Sequence, residues 1–234
     1  MLKANENTEL IAWNVGQGQW ITIASPNSCL HFDMGGEVAP WDSILRACAL
    51  KPNNTYFSHW DIDHLSFAAR ASRRFQNFCI QEFPGGPAPS SKKRILLSSL
   101  PKCTMKNLEL VKEIFKVSTP QRKLMTSNDY SNVFEFAHWM LVPGDSPKRQ
   151  EKLWAPQIIA KNSIRVLILG HHGSRTSTSQ LLLSSLLGLK MAVSTARKSR
   201  YGHPHPEVLA RLKRNGVAAL LTEDWGNIHI ETSF

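Results

Sequence analysis

A chain of 234 residues, 42% hydrophobic and 20% charged, can bury one large core and has the balance of an ordinary globular protein. It holds no apolar run of about 18 residues that would span a membrane, and Met1–Asn7 shows no apolar signal-peptide core, so a cytoplasmic location is expected. The formal net charge of +10 is uneven: residues 1–60 sum to −2, while 61–160 and 161–234 each sum to +6.

The basic excess falls in clusters: Arg70/Arg73/Arg74, Lys92/Lys93/Arg94, Lys148/Arg149/Lys152, Arg197/Lys198/Arg200 and Arg211/Lys213/Arg214. A field of this kind favours polyanions, of which nucleic acid is the commonest. The last cluster reads equally well as a solvated helix face. Cys29, Cys48, Cys79 and Cys103 are widely spaced, with no C-x-x-C pair, and read as buried thiols of a reducing compartment.

In chain order, Glu9–Val15, Trp20–Ala24 and Ser28–Phe32 read as an antiparallel meander, with a turn at Ser25-Pro26-Asn27 and Asp33-Met34-Gly35-Gly36 closing the third strand. A helix is expected over Trp41–Leu50, stopping before Pro52, and then a buried strand at Thr55–Phe57. That strand runs into His59-Trp60-Asp61-Ile62-Asp63-His64, followed by a helix from Leu65 to Arg74. Four strong metal-ligand side chains thus fall within six residues at a strand end, where α/β sheets place their sites. Imidazoles with carboxylates suit zinc, manganese or iron, and two acids with two histidines suit a pair of metals. A helix cap from Asp63 would explain only one of the four.

Beyond the Pro84–Ser91 loop, Ile95–Leu97 reads as a strand and Met105–Lys116 as a helix, from the spacing of Leu108, Val111, Ile114 and Phe115. Val133–Phe136 and Trp139–Val142 read as a hairpin that ends at Gly144-Asp145, so Asp145 is either a turn aspartate or a metal bridge. Arg165–Leu169 is a buried strand of the parallel type ending in Gly170-His171-His172-Gly173, a poor structural device and a good ligand site. Met191–Thr195 is another strand, leading through Arg200-Tyr201-Gly202-His203 to a helix from Pro206; Val217–Thr222 and Asn227–Thr232 close the chain as strands. Neither a repeat nor a linker interrupts it, and one α/β domain over 1–234 is expected.

These residues carry a resemblance to the metallo-β-lactamase fold, and more closely to the metallo-β-lactamase-like domain at the C-terminus of ComEC-type DNA-uptake proteins. His59–His64 resembles that domain's HxDxDH, Asn14–Gln19 its DVGQGD, Asn128–Ser131 its NNxS, and Gly144-Asp145 its TGD. Gly170–Ser179 is similar to its GHHGSKTSTS, and Arg200–Leu209 to its RYGHPHPEVL. Three features depart from it: Leu65-Ser66-Phe67 replaces a small turn, Asn14 and Gln19 replace aspartates, and no membrane channel is expected within these 234 residues, which read as a free-standing chain or a truncated one.

The resemblance implies an αββα sandwich, two mixed sheets with helices on the outer faces. It further implies a hydrolase with two divalent metal ions, Mn²⁺ or Mg²⁺ favoured by the carboxylates and Zn²⁺ possible, cleaving DNA phosphodiesters with a two-metal-activated hydroxide. His59 and Asp61 would hold one metal, Asp63, His64 and His171 the other, and Asp145 would bridge; Asp63 is thereby tied to catalysis. Asp33 and His172 would orient ligands, and His203 would contact the scissile phosphate or donate a proton. Arg175, Lys198 and Arg200 would hold the DNA backbone. Two other functions compete: hydrolysis of a small phosphoester or other ester, and a non-catalytic DNA- or protein-binding module with a degenerate site.

Overall fold

The computed structural model describes residues 8–104, 110–117 and 125–232. In it β1 (Thr8–Ala12), β2 (Ile21–Ala24) and β3 (Cys29–Phe32) form the expected antiparallel meander. Strands β4 (Pro52–Tyr56) and β5 (Asn77–Glu82) continue it in parallel, since α1 (Trp41–Cys48) and then α2 (Ile62–Leu65) with α3 (Ala68–Arg74) make the crossovers.

The second sheet begins with antiparallel β6 (Val111–Phe115), β7 (Val133–Phe136) and β8 (Met140–Val142). Parallel β9 (Val166–Ile168), β10 (Met191–Ser194) and β11 (Ala218–Leu221) follow. The closing β12 (Ile228–Thr232) returns to the first sheet against β1, giving two six-stranded mixed sheets of order β12-β1-β2-β3-β4-β5 and β11-β10-β9-β8-β7-β6.

Alternation along the strands builds three layers of core. Leu10, Ile21, Ile23, Leu30, Phe32 and Tyr56 of one sheet meet Phe134, Phe136, Met140, Val142, Val166, Ile168 and Val193 of the other. Their neighbours Ile11, Cys29 and Phe57 face the opposite way, under α1, α3 and α4 (Ser91–Ser98). Leu141, Leu167 and Ala192 face α5 (Lys148–Trp154), α6 (Gln180–Ser185) and α8 (Pro206–Arg214). This is the expected αββα sandwich. No helix among the described residues is long and apolar enough to cross a membrane.

Three local expectations are corrected. Ile95–Leu97 is the middle of helix α4: Ser90 caps it by accepting from the Lys93 amide, and only Leu97 of the three is buried. Val111–Phe115 is strand β6, and a register shift between Glu113 and Phe115 puts its buried Val111 and Ile114 three apart, a spacing that imitates a helix turn; residues 105–109 of the expected helix lie outside the described residues. The cysteines are not thiols. Cys29–Cys48 joins β3 to the end of α1, and Cys79–Cys103 joins β5 to the segment after α4, with Cα–Cα separations of 5.9 and 4.9 Å.

Candidate metal centre

Asp33, the His59–His64 stretch, Asp145, His171/His172 and the approach to His203 follow the C-terminal ends of β3, β4, β8, β9 and β10. Packing the two sheets face to face brings these ends together along one edge of the sandwich. At its centre lies the Asp145 carboxylate, buried among four imidazoles. His59 Nε2 and His171 Nε2 stand 3.7 and 3.6 Å from its Oδ2; His64 Nε2 and His172 Nε2 stand 3.1 and 3.8 Å from its Oδ1.

The centre has two halves. On one, Asp61 Oδ2 lies 3.5 Å from His59 Nε2. On the other, Asp63 Oδ2 lies 3.3 Å from His172 Nε2, which is itself 3.1 Å from His64 Nε2. The donor atoms of His59, His64 and Asp145, and those of Asp63, His64 and His172, converge closely enough to share an ion. His172, expected to orient ligands, thus points its Nε2 at Asp63 and His64, while His171 sits on the His59 side.

The donor set fits a cation. His59 Nε2 is buried with no hydrogen-bond partner, and the His64 contact lacks hydrogen-bond geometry, so Asp145 Oδ1 has none either. Two such orphans in one buried cluster are costly without a charge to satisfy them. Burial works against charge on His64, yet Asp145 and Asp33 outweigh it and hold its pKa well above the ordinary value. Burial likewise opposes ionisation of Asp145 and Asp63, but the surrounding imidazoles hold both carboxyls below their usual range. The pocket therefore favours positive charge, which a proton on His64 or a metal ion can supply.

A second layer sets which nitrogen faces inward. Asp33 Oδ2 binds His64 Nδ1 at 2.7 Å, and Ser58 Oγ lies 3.0 Å from His59 Nδ1, leaving both Nε2 atoms for the centre. Asp33 is held in turn by the Ser58 amide and hydroxyl and by the Gln19 side-chain amide. Gln19, which stands where the resembled motif has an acid, is therefore a donor to Asp33. Asp33, His171 and His172 all adopt positive φ (58°, 50° and 54°), backbone strain that only a tightly determined site maintains. Gly35 is needed because an added Cβ would come within 2.3 Å of the Asp63 backbone.

His203 lies at the rim, its ring 5.9 Å from that of His171, with Nδ1 buried and unpartnered. Burial, reinforced by His171 and His172, pushes its pKa down to about 4. Arg175, Lys198 and Arg200 are exposed. Arg200 lies over the Tyr201 ring and 3.9 Å from Glu37, and Arg197 pairs with the same Glu37 at 2.8 Å.

Two neighbours escaped the sequence reading. Lys93 Nζ donates to the Trp60 carbonyl at 2.6 Å, which carries the Lys92/Lys93/Arg94 cluster to the metal motif. The turn at Ser127-Asn128 backs the His59 half: Ser127 hydrogen-bonds Asp61, and Asn128 Nδ2 lies 3.4 Å from His171 Nδ1. Asn128 carried a signal through its motif and Lys93 through its basic cluster, but neither signal pointed to these contacts.

Fold and site together define a metallo-β-lactamase-fold protein. Two solved structures share the fold: one described as a new diphosphatase from the PhnP family (TM-score 0.54, 10% identity, 96% of this chain and 98% of that one), and the metallo-β-lactamase-fold protein YhfI of Bacillus subtilis (TM-score 0.52, 9% identity, 97% and 100%). No family model matches the chain. Among curated proteins it is similar to competence protein ComA of Neisseria gonorrhoeae, 26% identical over 219 residues, covering 90% of this chain and 30% of that protein. It is also similar to the ComE operon protein 3 of Bacillus subtilis, 33% identical over 90 residues (38% of this chain, 11% of that one). Recombination protein 2 of Haemophilus influenzae is 34% identical over 91 residues (39% and 11%). The resemblance read from the motifs is thus borne out, and the chain spans under a third of the length of these relatives.

Proposed function

We propose that the chain is a metal-dependent phosphodiesterase acting on DNA. The observation that carries this reading is the buried Asp145 carboxylate ringed by His59, His64, His171 and His172, with unsatisfied atoms aimed at a shared centre. His59, Asp61, Asp145 and His171 would hold one divalent ion; Asp63, His64 and His172 would hold a second that shares Asp145. The three carboxylates favour Mn²⁺ or Mg²⁺, with Zn²⁺ possible. Bound there, such ions supply an acidified water as nucleophile and neutralise the phosphate oxygens.

The chain's own groups do the rest. Asp33 and Ser58 keep the His64 and His59 rings oriented. His203, held neutral at physiological pH by burial, offers an N–H to a phosphate oxygen rather than a full charge. The Lys92/Lys93/Arg94 cluster approaches through Trp60, and the exposed Lys198 and Arg200 precede His203 in the chain, so basic groups are available to a backbone longer than one phosphate. Tyr201, 60% exposed and 6.1 Å from the His203 ring, presents a face on which a base can stack. A small phosphoester would need none of these groups. The relatedness to competence and recombination proteins points the same way.

The test is cleavage of labelled single-stranded and duplex DNA with Mn²⁺, Mg²⁺ or Zn²⁺, wild type against Asp63→Ala. Cleavage that requires metal and is lost in the variant supports the reading. Metal-loaded protein that leaves DNA intact but hydrolyses a small phosphoester replaces it, and protein that binds no metal makes the site degenerate.

A further inference from the structure

We infer that the two disulfides are native cross-links and that this domain matures in an oxidising compartment, rather than in the reducing interior expected from its sequence. All four cysteines of the chain are consumed, and none is free. Both bonds sit on the strands that flank β4: Cys29 begins β3 and Cys79 lies in β5, beside Asn53 and Asn54 of β4. They close loops of 19 and 24 residues, tying α1 and the segment after α4 to the sheet. Cross-links of this kind persist where no glutathione pool reduces them. Cys29 and Cys48 are fully buried, beyond the reach of a soluble thiol in the folded state.

A rival use of these residues exists. Cys29, His31 and Cys48 lie close enough to form a Cys₂His metal nest in a reducing compartment. The surroundings of His31 oppose it. Its Nε2 binds Asn53 Oδ1 at 2.9 Å, and its Nδ1 receives the Trp20 indole N–H at 3.2 Å and contacts the Thr22 hydroxyl at 2.9 Å. Neither ring nitrogen is left for a metal.

Each bond requires a two-electron oxidant, here an external disulfide of the compartment. One cysteine thiolate attacks it and forms a mixed disulfide, and the second cysteine displaces the remaining sulfur. The oxidant departs as a dithiol carrying the two electrons and the two thiol protons. The cross-links stand apart from the metal ligands. Cys29 is at the opposite end of β3 from Asp33, about 13 Å along an extended strand. They therefore act on stability and not on ligand geometry, and the inference is independent of the reaction proposed for the site.

The test is full-length chain exported to a bacterial periplasm, lysed into an alkylating agent without reductant and mapped by peptide mass. Expected are no alkylated cysteine, Cys29–Cys48 and Cys79–Cys103 linked peptides, and a thermal midpoint roughly 10 °C higher per cross-link than in the reduced protein. Should Cys29→Ala/Cys48→Ala fail to fold, Cys79→Ala/Cys103→Ala isolates the outer bond, with a fall in midpoint and no change in divalent-ion stoichiometry at the main site. Four alkylated cysteines in the exported protein, other pairings, or reduced protein that gains a zinc ion through Cys29 and is no less stable would overturn the inference.

Discussion

Asp33 Oδ2 and His64 Nδ1 stand 2.7 Å apart, and this one contact decides which nitrogen of His64 faces Asp145. An asparagine at 33 would keep the shape but not the donor count, because Oδ2 also accepts from Gln19 and Ser58. An amide nitrogen there would face those donors. Asp33→Asn should lower divalent-metal affinity about 10- to 100-fold. Titration against a chelating competitor reads this, and unchanged affinity would remove Asp33 from the site.

Asp145 is the residue shared by both halves. Asp145→Asn leaves His59, His64, His171 and His172 without their common carboxylate. Bound metal measured by mass spectrometry should fall from two ions to one or none per chain. Stripping metal from the wild type should lower its thermal midpoint, since an ion bound only by the folded state stabilises it. In Asp145→Asn the chelator should shift the midpoint much less.

Phosphate contacts release counterions, so affinity for a nucleic acid falls with salt in proportion to their number. Lys198→Ala and Arg175→Ala, both at exposed positions, should each reduce the slope of log affinity against log salt by about one. Fluorescence anisotropy with a labelled oligonucleotide under chelator separates this binding effect from cleavage. An unaltered slope in both would move the track elsewhere.

Burial, only partly offset by the Asn53 hydrogen bond, pushes the His31 imidazole down to about 4. The unfolded chain takes up this proton near pH 6.5 and the folded chain only near 4, so its contribution is complete above 6.5 and is lost as pH falls through that window. The loss by pH 4 is roughly 3 kcal/mol. Urea denaturation of metal-free protein at pH 7.5 and 4.5 should show it, and His31→Gln should flatten the difference.

Gly35→Ala puts a methyl group against the Asp63 and His64 backbone, which has no room to retreat. The expected cost is about 1–3 kcal/mol of stability, with weakened metal uptake. Calorimetry and metal analysis on one sample check both.

Much of this molecule was legible in the residues. The Asp33, His59–His64, Asp145 and His171/His172 groups each follow a strand, and the motifs located them before any fold was known. The elements misread were those whose local pattern deceives. In β6 a register shift puts buried Val111 and Ile114 at helical spacing, and in α4 three consecutive apolar residues resemble a strand although two are exposed. The cysteines show no local signature at all, since their pairing follows from the packing of α1 on β3 and of the segment after α4 on β5.

The sequence by itself determined the donor set, the strand ends that carry it and the basic clusters along the chain, because residue type and short-range periodicity record local preferences. Only the tertiary structure decided how His171 and His172 divide around Asp145, which nitrogens Asp33 and Ser58 turn inward, and which cysteines meet. Those outcomes depend on contacts such as that between His64 and His172, 108 residues apart, and form only when the two sheets pack face to face. No periodicity within a segment encodes which distant strand end it will meet.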